Sequence, residues 1–93
     1  MEPLQLELFV TADDQDSERA LAQARELGRD LADRARLEVI DVAMHPERAA
    51  RAQVLVTPCL IRCKPAPERR VVGDLGDRRA VLGALRIDGV EAP

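Results

Sequence analysis

The first hydrophobic pattern along the chain is a strict alternation of apolar and polar positions over residues 4–10. Its aliphatic side chains all fall on one side of an extended backbone: Leu4, Leu6, Leu8 and Val10. Because successive side chains of a strand point to opposite faces, the alternation predicts a β-strand with one strongly apolar face.

A different period follows, in which apolar residues recur at spacings of three and four from Ala20 to Ala35. This spacing predicts an amphipathic helix over residues 18–35, with Asp16 or Ser17 capping its first turn. The next apolar run, residues 37–42, predicts a second strand. A strand, a long helix and a strand in succession predict two parallel strands joined by a right-handed crossover.

The second half of the chain has shorter and more mixed patterns. Pro46 favours the start of a short helix over residues 46–52, because proline suits the first helical position. A proline-rich turn separates two short apolar runs and predicts a hairpin of residues 59–63 and 69–73. Asp77 can cap a last helix over residues 78–86. The resulting order, βαβαββα around a mixed four-stranded sheet, is the thioredoxin-like arrangement.

Composition and charge narrow the classes of protein that this chain can represent. A length of 93 residues predicts one domain over residues 1–93, and residues 88–93 are expected to form a frayed tail. With 17 acidic against 14 basic residues and one aromatic side chain, Phe9, nucleic-acid binding is not expected. No apolar run reaches the length of a membrane span, and the first residues do not resemble a signal peptide. We therefore expect a cytoplasmic protein without membrane contact.

Candidate catalytic chemistry is sparse. A thioredoxin requires Cys-x-x-Cys at the start of its first helix, but residues 13–17 contain no cysteine. Cys59 and Cys63 lie elsewhere; in a strand their Cα atoms would be about 13 Å apart, too far for a disulfide. In a helix they would be about 6 Å apart, so an oxidised pair would report a helical second half. With His45, they supply too few ligands for zinc. We expect no cofactor, no metal and no enzymatic activity.

A series of short motifs resembles the KaiB family of circadian clock proteins. It comprises Asp41-Val42, Pro46, Thr57-Pro58-Cys59-Leu60, Pro65-Ala66-Pro67 and Gly73-Asp74-Leu75-Gly76-Asp77-Arg78. The resemblance implies a non-enzymatic protein that binds the ATPase KaiC and has two folds. One is a self-associating ground state, a dimer or tetramer, whose C-terminal half is rearranged. The other is a monomeric thioredoxin-like state that binds the partner, in which the Thr57-Pro58 bond is expected to be cis.

The resemblance also implies which residues carry the function. The edge of the second strand and the short helix beside it are expected to bind the partner, through Arg36, Leu37, Glu38, Val39, Asp41, Arg48 and Arg51. A second set is expected to matter for the change of fold: Thr57, Pro58, Gly73, Asp74, Asp77, Ala84 and Arg86.

The sequence departs from the family pattern at positions that lead to two further expectations. Cyanobacterial members carry Gly and Asp where this chain has Ala84 and Arg86. Alanine favours a helix by about 1 kcal/mol over glycine, and a cation near the helix C-terminus adds a few tenths more. We therefore predict a bias toward the thioredoxin-like state. Glu38 stands where cyanobacterial members place a basic residue, which predicts an altered contact or another partner.

Two other functions stay open from the sequence. One is a stress-response or signalling adaptor of the same fold with a different protein partner. The other is a thiol-redox protein, in which Cys59 or Cys63 would be reactive.

Overall fold

The computed structural model describes residues 2–88 and has the predicted order of elements. The strands and helices are β1 (Leu4–Val10), α1 (Gln15–Leu31), β2 (Ala35–Asp41), α2 (Pro46–Arg51), β3 (Cys59–Lys64), β4 (Arg69–Val72) and α3 (Arg78–Ala84). The sheet has the order β2-β1-β3-β4, with β1 and β2 parallel and the other pairs antiparallel. This confirms the thioredoxin-like arrangement with a mixed four-stranded sheet.

The main core lies on the sheet face that α1 and α3 cover. Leu6, Leu8 and Leu60 project from β1 and β3 into this layer and are buried. The helices supply the rest of the cluster: Ala20, Ala24, Leu27, Leu31, Val81, Leu82 and Leu85. The alternation in β1 and the helical spacing in α1 therefore bury the side chains that each pattern predicted.

A smaller core lies on the opposite face, under α2. Phe9, the only aromatic residue, is completely buried there with Ile40, Cys59 and Ile61. Because α2 has six residues, it covers only part of this face. Charged side chains of β1, β2 and α2 occupy the neighbouring area, which is described below.

The ends of α1 differ from the prediction. The helix begins at Gln15, because Asp14 is the N-cap and its carboxylate accepts a hydrogen bond from the Ser17 N–H at 3.0 Å. Ser17 lies inside the helix, where its hydroxyl accepts from the Thr11 N–H at 3.0 Å. At the other end the helix stops at Leu31, and a 3₁₀ turn, Ala32–Arg34, leads into β2.

Two helices end in the same hydrogen-bonded motif without glycine. After α2, the N–H groups of Gln53 and Val54 donate to the carbonyls of Ala50 and Ala49. After α3, Arg86 and Ile87 donate in the same pattern to Gly83 and Leu82. This is the Schellman motif, in which the residue after the helix C-cap is left-handed and is usually glycine. Here the positions are held by Gln53, with φ 57°, and Arg86, with φ 55°.

Arg62 is a buried cation in the middle of β3. Its guanidinium donates to the Pro67 carbonyl at 2.7 Å and to the Arg86 carbonyl at 3.4 Å. Within residues 2–88 no carboxylate lies within ion-pair distance of it, and its Nε has no hydrogen-bond partner. Arg69, directly opposite on β4, also has a buried and unpartnered Nε.

The predicted frayed tail lies outside the described residues except for Asp88, whose carbonyl accepts a hydrogen bond from Arg34 at 2.5 Å. No helix within residues 2–88 combines the length and the apolar character that crossing a membrane requires.

Candidate partner-binding surface

The second strand lies at an edge of the sheet, as predicted, with β1 as its single strand neighbour. Arg36 and Glu38 are exposed on the face shared with α2, and Val39 is 37% exposed on the other face. Leu37 is half-buried against the main core. Together with Asp41 on β2 and with Arg48 and Arg51 on α2, these residues form what we call the β2–α2 surface.

The backbone of β2 presents hydrogen-bonding groups to solvent. The Val42 N–H donates to the Val10 carbonyl at 3.0 Å, which fixes which residues point toward β1. Since N–H and C=O groups of alternate residues in a strand point to opposite sides, those of Leu37 and Val39 point away from the sheet. An edge of this kind can pair with another strand.

Arg48 joins α2 to both neighbouring strands. Its guanidinium donates to Glu38 at 2.5 and 2.9 Å and to Glu7 on β1 at 2.7 Å. The hydrogen bond from Arg48 is the main cause that lowers the pKa of Glu38, and the bond to Glu38 raises the pKa of Arg48. The two predicted binding residues Glu38 and Arg48 therefore bind each other, and the charge of Arg48 is already compensated by carboxylates.

Asp41 and Arg51, also on this surface, differ in whether their side chains are hydrogen bonded. The Asp41 carboxylate accepts a hydrogen bond from the Ala43 N–H at 2.8 Å and shapes the turn after β2. Arg51 is exposed at the end of α2 and has no hydrogen bond or ion pair within residues 2–88. Arg51 is thus the member of α2 whose charge is available.

The residues predicted to matter for the change of fold cluster around two loops. The Thr57-Pro58 bond is cis, as predicted, and the Thr57 hydroxyl is hydrogen bonded to that of Thr11 at 2.6 Å. Gly73 has φ 93°, which favours glycine, and its N–H donates to the Pro58 carbonyl at 2.9 Å. The first bond holds the loop before β3 against the residue that follows β1, and the second holds it against the end of β4.

Asp74 and Asp77 organise the turn that leads into α3. The Asp74 carboxylate accepts from the Gly76 N–H at 2.7 Å. Asp77 is the N-cap of α3, as predicted, and accepts from the Ala80 N–H at 3.1 Å. The Gly73–Asp77 motif is therefore a turn and a helix start.

The structure separates the contributions of Ala84 and Arg86. Ala84 is the last residue of α3, where its helix propensity acts. Arg86 lies beyond the helix with a left-handed backbone, so it is not part of the last turn of α3. Aspartate tolerates this backbone better than arginine does, which opposes the gain expected from a cation near the helix C-terminus. The effects of Ala84 and Arg86 on the balance between the two folds stay predictions.

The two cysteines are poorly suited to redox chemistry. Both are free thiols and both lie on β3, which agrees with the expectation that the extended spacing prevents a disulfide. Burial raises the pKa of the Cys59 thiol. Burial, assisted by the neighbouring Glu7 carboxylate, raises the pKa of Cys63 to about 12. Within residues 2–88 no cluster of His, Cys, Asp and Glu could hold a metal ion.

One surface was missed by the sequence reasoning. Residues 54–58 are mostly of types that favour strands, but they form a loop, in which Leu55 is 95% exposed and Val56 is largely exposed. Val56 and Pro58 line a groove of about 270 Å³ between the start of α1 and the turn after β4. The signal was the apolar run itself, but hydrophobicity alone does not distinguish a surface loop from a core strand.

Comparison with known sequences identifies the family. Residues 7–87 match the family described as the KaiB domain. The circadian clock protein KaiB3 of a Synechocystis strain is 36% identical over 88 residues, covering 94% of this chain and 86% of that protein. The circadian clock oscillator protein KaiB of a Prochlorococcus marinus strain is 42% identical over 81 residues, covering 86% of this chain and 69% of that protein.

Solved structures show the fold. The N-terminal domain of Synechococcus elongatus SasA superposes with a TM-score of 0.71 at 24% identity, covering 98% of this chain and 91% of that chain. The germline-specific thioredoxin Deadhead of Drosophila melanogaster superposes with a TM-score of 0.75 at 18% identity, covering 90% and 82% of the two chains. At these identities the likeness concerns the thioredoxin-like fold alone. The sequence match over residues 7–87 shows that the chain belongs to the KaiB family of circadian clock proteins.

Proposed function

We propose that this chain is a non-enzymatic clock-type regulator that binds a KaiC-like ATPase ring through its thioredoxin-like state. The observation that carries the proposal is the free edge of β2 beside α2, which is the surface the family resemblance implied. A strand edge offers a partner backbone hydrogen bonds as well as side-chain contacts.

The chemistry of the β2–α2 surface suits such a contact. Leu37 and Val39 offer outward N–H and C=O groups, and the Val39 side chain is partly exposed for apolar contact. Arg51 supplies an available positive charge at the end of α2. The Arg48–Glu38 pair is already satisfied, so it shapes the surface more than it attracts a charged partner.

Two features support a non-enzymatic function: the start of α1 and the pKa values of the two thiols. The backbone at the start of α1 is capped by Asp14, and no cysteine lies there. The pKa values of Cys59 and Cys63 are both raised, so neither thiol is a ready nucleophile near neutral pH.

We also propose that the thioredoxin-like state is favoured over a self-associating ground state. Ala84 supports this, because alanine is a better helix former than the glycine of cyanobacterial members and lies within α3. The ground state would require α3 and the β3–β4 hairpin to rearrange.

Capture of the ATPase tests the proposal. The tagged chain is mixed with the KaiC-like ATPase of the same organism in ATP or in ADP, and the bound fraction is measured. We expect binding in at least one nucleotide state, and weaker binding for Arg51→Glu and Val39→Asp. Arg25→Glu on α1 is the matched control, because Arg25 is exposed on the opposite side of the sheet. Lack of binding in every nucleotide state would refute the proposal.

A second candidate follows from Glu38. This acidic residue neutralises Arg48, whereas cyanobacterial members place a basic residue at the same position. An acidic residue at this edge favours a different protein partner, as in a stress-response or signalling adaptor. If Glu38→Lys gains ATPase binding that the natural chain lacks, this candidate replaces the first.

A further inference from the structure

The groove between the start of α1, the loop before β3 and the turn after β4 is built from three separate parts of the chain. We call it the α1–loop groove; its volume is about 270 Å³. Its lining includes Asp16 and Arg19 of α1, Val56 and Thr57 of the loop, and Asp74 of the turn. Among the described residues, none of those that form the β2–α2 surface lines it, so the groove is a second candidate site.

Two hydrogen bonds hold the parts of the α1–loop groove together. The Gly73 N–H donates to the Pro58 carbonyl at 2.9 Å and joins the turn to the loop. The Gln23 side-chain carbonyl accepts from the Leu75 N–H at 3.2 Å and joins the turn to α1. A groove that is fixed in this way does not have to be ordered when a ligand binds, which lowers the entropic cost of binding.

The backbone of the loop before β3 carries polar groups that the rest of the protein leaves unpaired. Within residues 2–88, the N–H and C=O groups of Leu55, Val56 and Thr57 make no hydrogen bond. Since each backbone N–H and C=O is a strong hydrogen-bonding group, these groups are available to the backbone of a ligand. Extended peptides bind to proteins by backbone hydrogen bonds of this kind.

Apolar side chains surround these backbone groups. Leu55, Val56 and Val72 are each more than half exposed, and they are three of the five exposed large apolar side chains within residues 2–88. Val72 directly precedes Gly73, which lines the groove, so it lies at the same end of the sheet. Exposed apolar residues that cluster beside a groove are typical of a site that binds another molecule.

Carboxylates determine which charge the ligand should carry. Asp16 and Asp74 both line the groove, and Asp13 is exposed in the loop before α1. Among the described residues that line the groove, Arg19 is the only cation, and its guanidinium is paired with Asp16 at 3.3 Å. The excess charge around the groove is therefore negative, which complements a basic ligand and disfavours an acidic one.

We propose that the α1–loop groove binds an extended, basic segment of another protein. The backbone of that segment pairs with Val56 and Thr57. Because successive side chains of an extended chain point to opposite sides, basic and apolar residues should alternate along it. One set of its side chains then covers Leu55 and Val56, and the other meets the carboxylates of Asp16 and Asp74. This binding does not rest on the proposed ATPase contact, and the two surfaces share no residue.

A display library of random short peptides tests the proposal. Peptides are selected on the natural chain, and the enriched ones are synthesised and titrated by fluorescence anisotropy. We expect sequences in which Lys or Arg alternates with apolar residues. Asp16→Lys should weaken their binding by about tenfold or more, because it replaces attraction by repulsion. Val56→Ser should weaken it by about threefold or more through lost apolar contact. Arg19→Ala should strengthen it, since Asp16 loses its internal partner.

Matched controls separate the groove from general charge and hydrophobicity. Asp33→Lys makes the same change of charge beyond the other end of α1, where Asp33 is exposed. Met44→Ser removes an exposed apolar side chain from the turn after β2. Both variants should bind the selected peptides as the natural chain does. All four variants with a changed charge or side chain near the groove or away from it are first shown to be folded by circular dichroism.

Methylation of single peptide amides tests the backbone contact. A methyl group removes the N–H donor, so methylation of an amide that pairs with the loop should abolish binding, whereas methylation of the next amide should change it little. A selection that enriches no peptide, or enriches acidic peptides, overturns the proposal. Binding that is insensitive to both Asp16→Lys and Val56→Ser overturns it as well. ATPase capture would be unaffected by these failures, so the proposed function is tested separately.

Discussion

Replacing Arg86 by glycine should stabilise the thioredoxin-like fold. Arg86 follows Leu85, the C-cap of α3, and has φ 55°; its N–H and its carbonyl both take part in hydrogen bonds that depend on this backbone. Its side chain has no hydrogen bond or ion pair within residues 2–88, so the substitution removes no polar partner.

The magnitude follows from two opposing contributions. A left-handed backbone costs a residue with a side chain about 1–2 kcal/mol, which glycine avoids. Glycine also has more freedom in the unfolded chain, which costs about 0.5–1 kcal/mol on folding. The net gain is therefore about 0.5–1 kcal/mol, and in a chain of this size it raises the melting temperature by about 2–8 °C.

The matched control applies the same chemical change inside the helix. Arg79 is exposed within α3, where glycine should destabilise by about 1 kcal/mol. Urea and thermal unfolding of both variants, followed by circular dichroism, should therefore give shifts of opposite sign. If Arg86→Gly lowers the midpoint as Arg79→Gly does, the helix-end motif described here is wrong.

Three further predictions concern other parts of the molecule. Ala32 has φ 49°, so Ala32→Gly should stabilise the chain by about 1 kcal/mol in urea unfolding, and a loss of stability would contradict that backbone. Arg48→Ala should lower the melting temperature at pH 7, because Glu38 and Glu7 lose their partner. Since Arg48 lowers the pKa of Glu38 in the folded state, this stabilisation is present above the usual value of 4.5 and is lost as the pH falls through the lowered pKa. The difference in melting temperature between the natural chain and Arg48→Ala should therefore become smaller in a pH series below 4.5. A difference that does not change with pH would show that the Glu38 pKa is not coupled to stability through Arg48. Cys63 should react slowly with iodoacetamide at pH 8. In a Cys59→Ser background, Glu7→Gln should lower the Cys63 pKa and so speed the reaction at pH 9. An unchanged rate would show that Glu7 does not raise the Cys63 pKa.

The types and order of the elements could be predicted from the sequence because periodicity is local. The alternation in β1 and the three-and-four spacing in α1 each identify the side that is buried. The strand–helix–strand order correctly predicts that β1 and β2 are parallel, whereas the edge position of β2 was implied by the family resemblance. The ends of α1 were harder, since Asp14, Asp16 and Ser17 can all act as caps and only the fold selects Asp14.

The electrostatics of the β2–α2 surface could not be predicted in the same way. Arg48 meets Glu38 across ten positions and Glu7 across 41, and both contacts depend on where α2 packs. Periodicity also cannot distinguish the exposed side chain of Leu55 from a core residue. The left-handed backbone of Arg86 could not be predicted from the sequence either, because the usual signal is a glycine and position 86 is an arginine.

Arg62 has a consequence for how the molecule opens. One guanidinium bonds the turn between β3 and β4, through Pro67, and the end of α3, through Arg86. Neither segment can leave without stranding a buried charge that has no carboxylate partner within residues 2–88. The hairpin and α3 are therefore expected to open together as one cooperative unit, while α1 and the β1–β2 pair keep their amide protection. That unit lies within the half of the chain whose rearrangement the family resemblance implies.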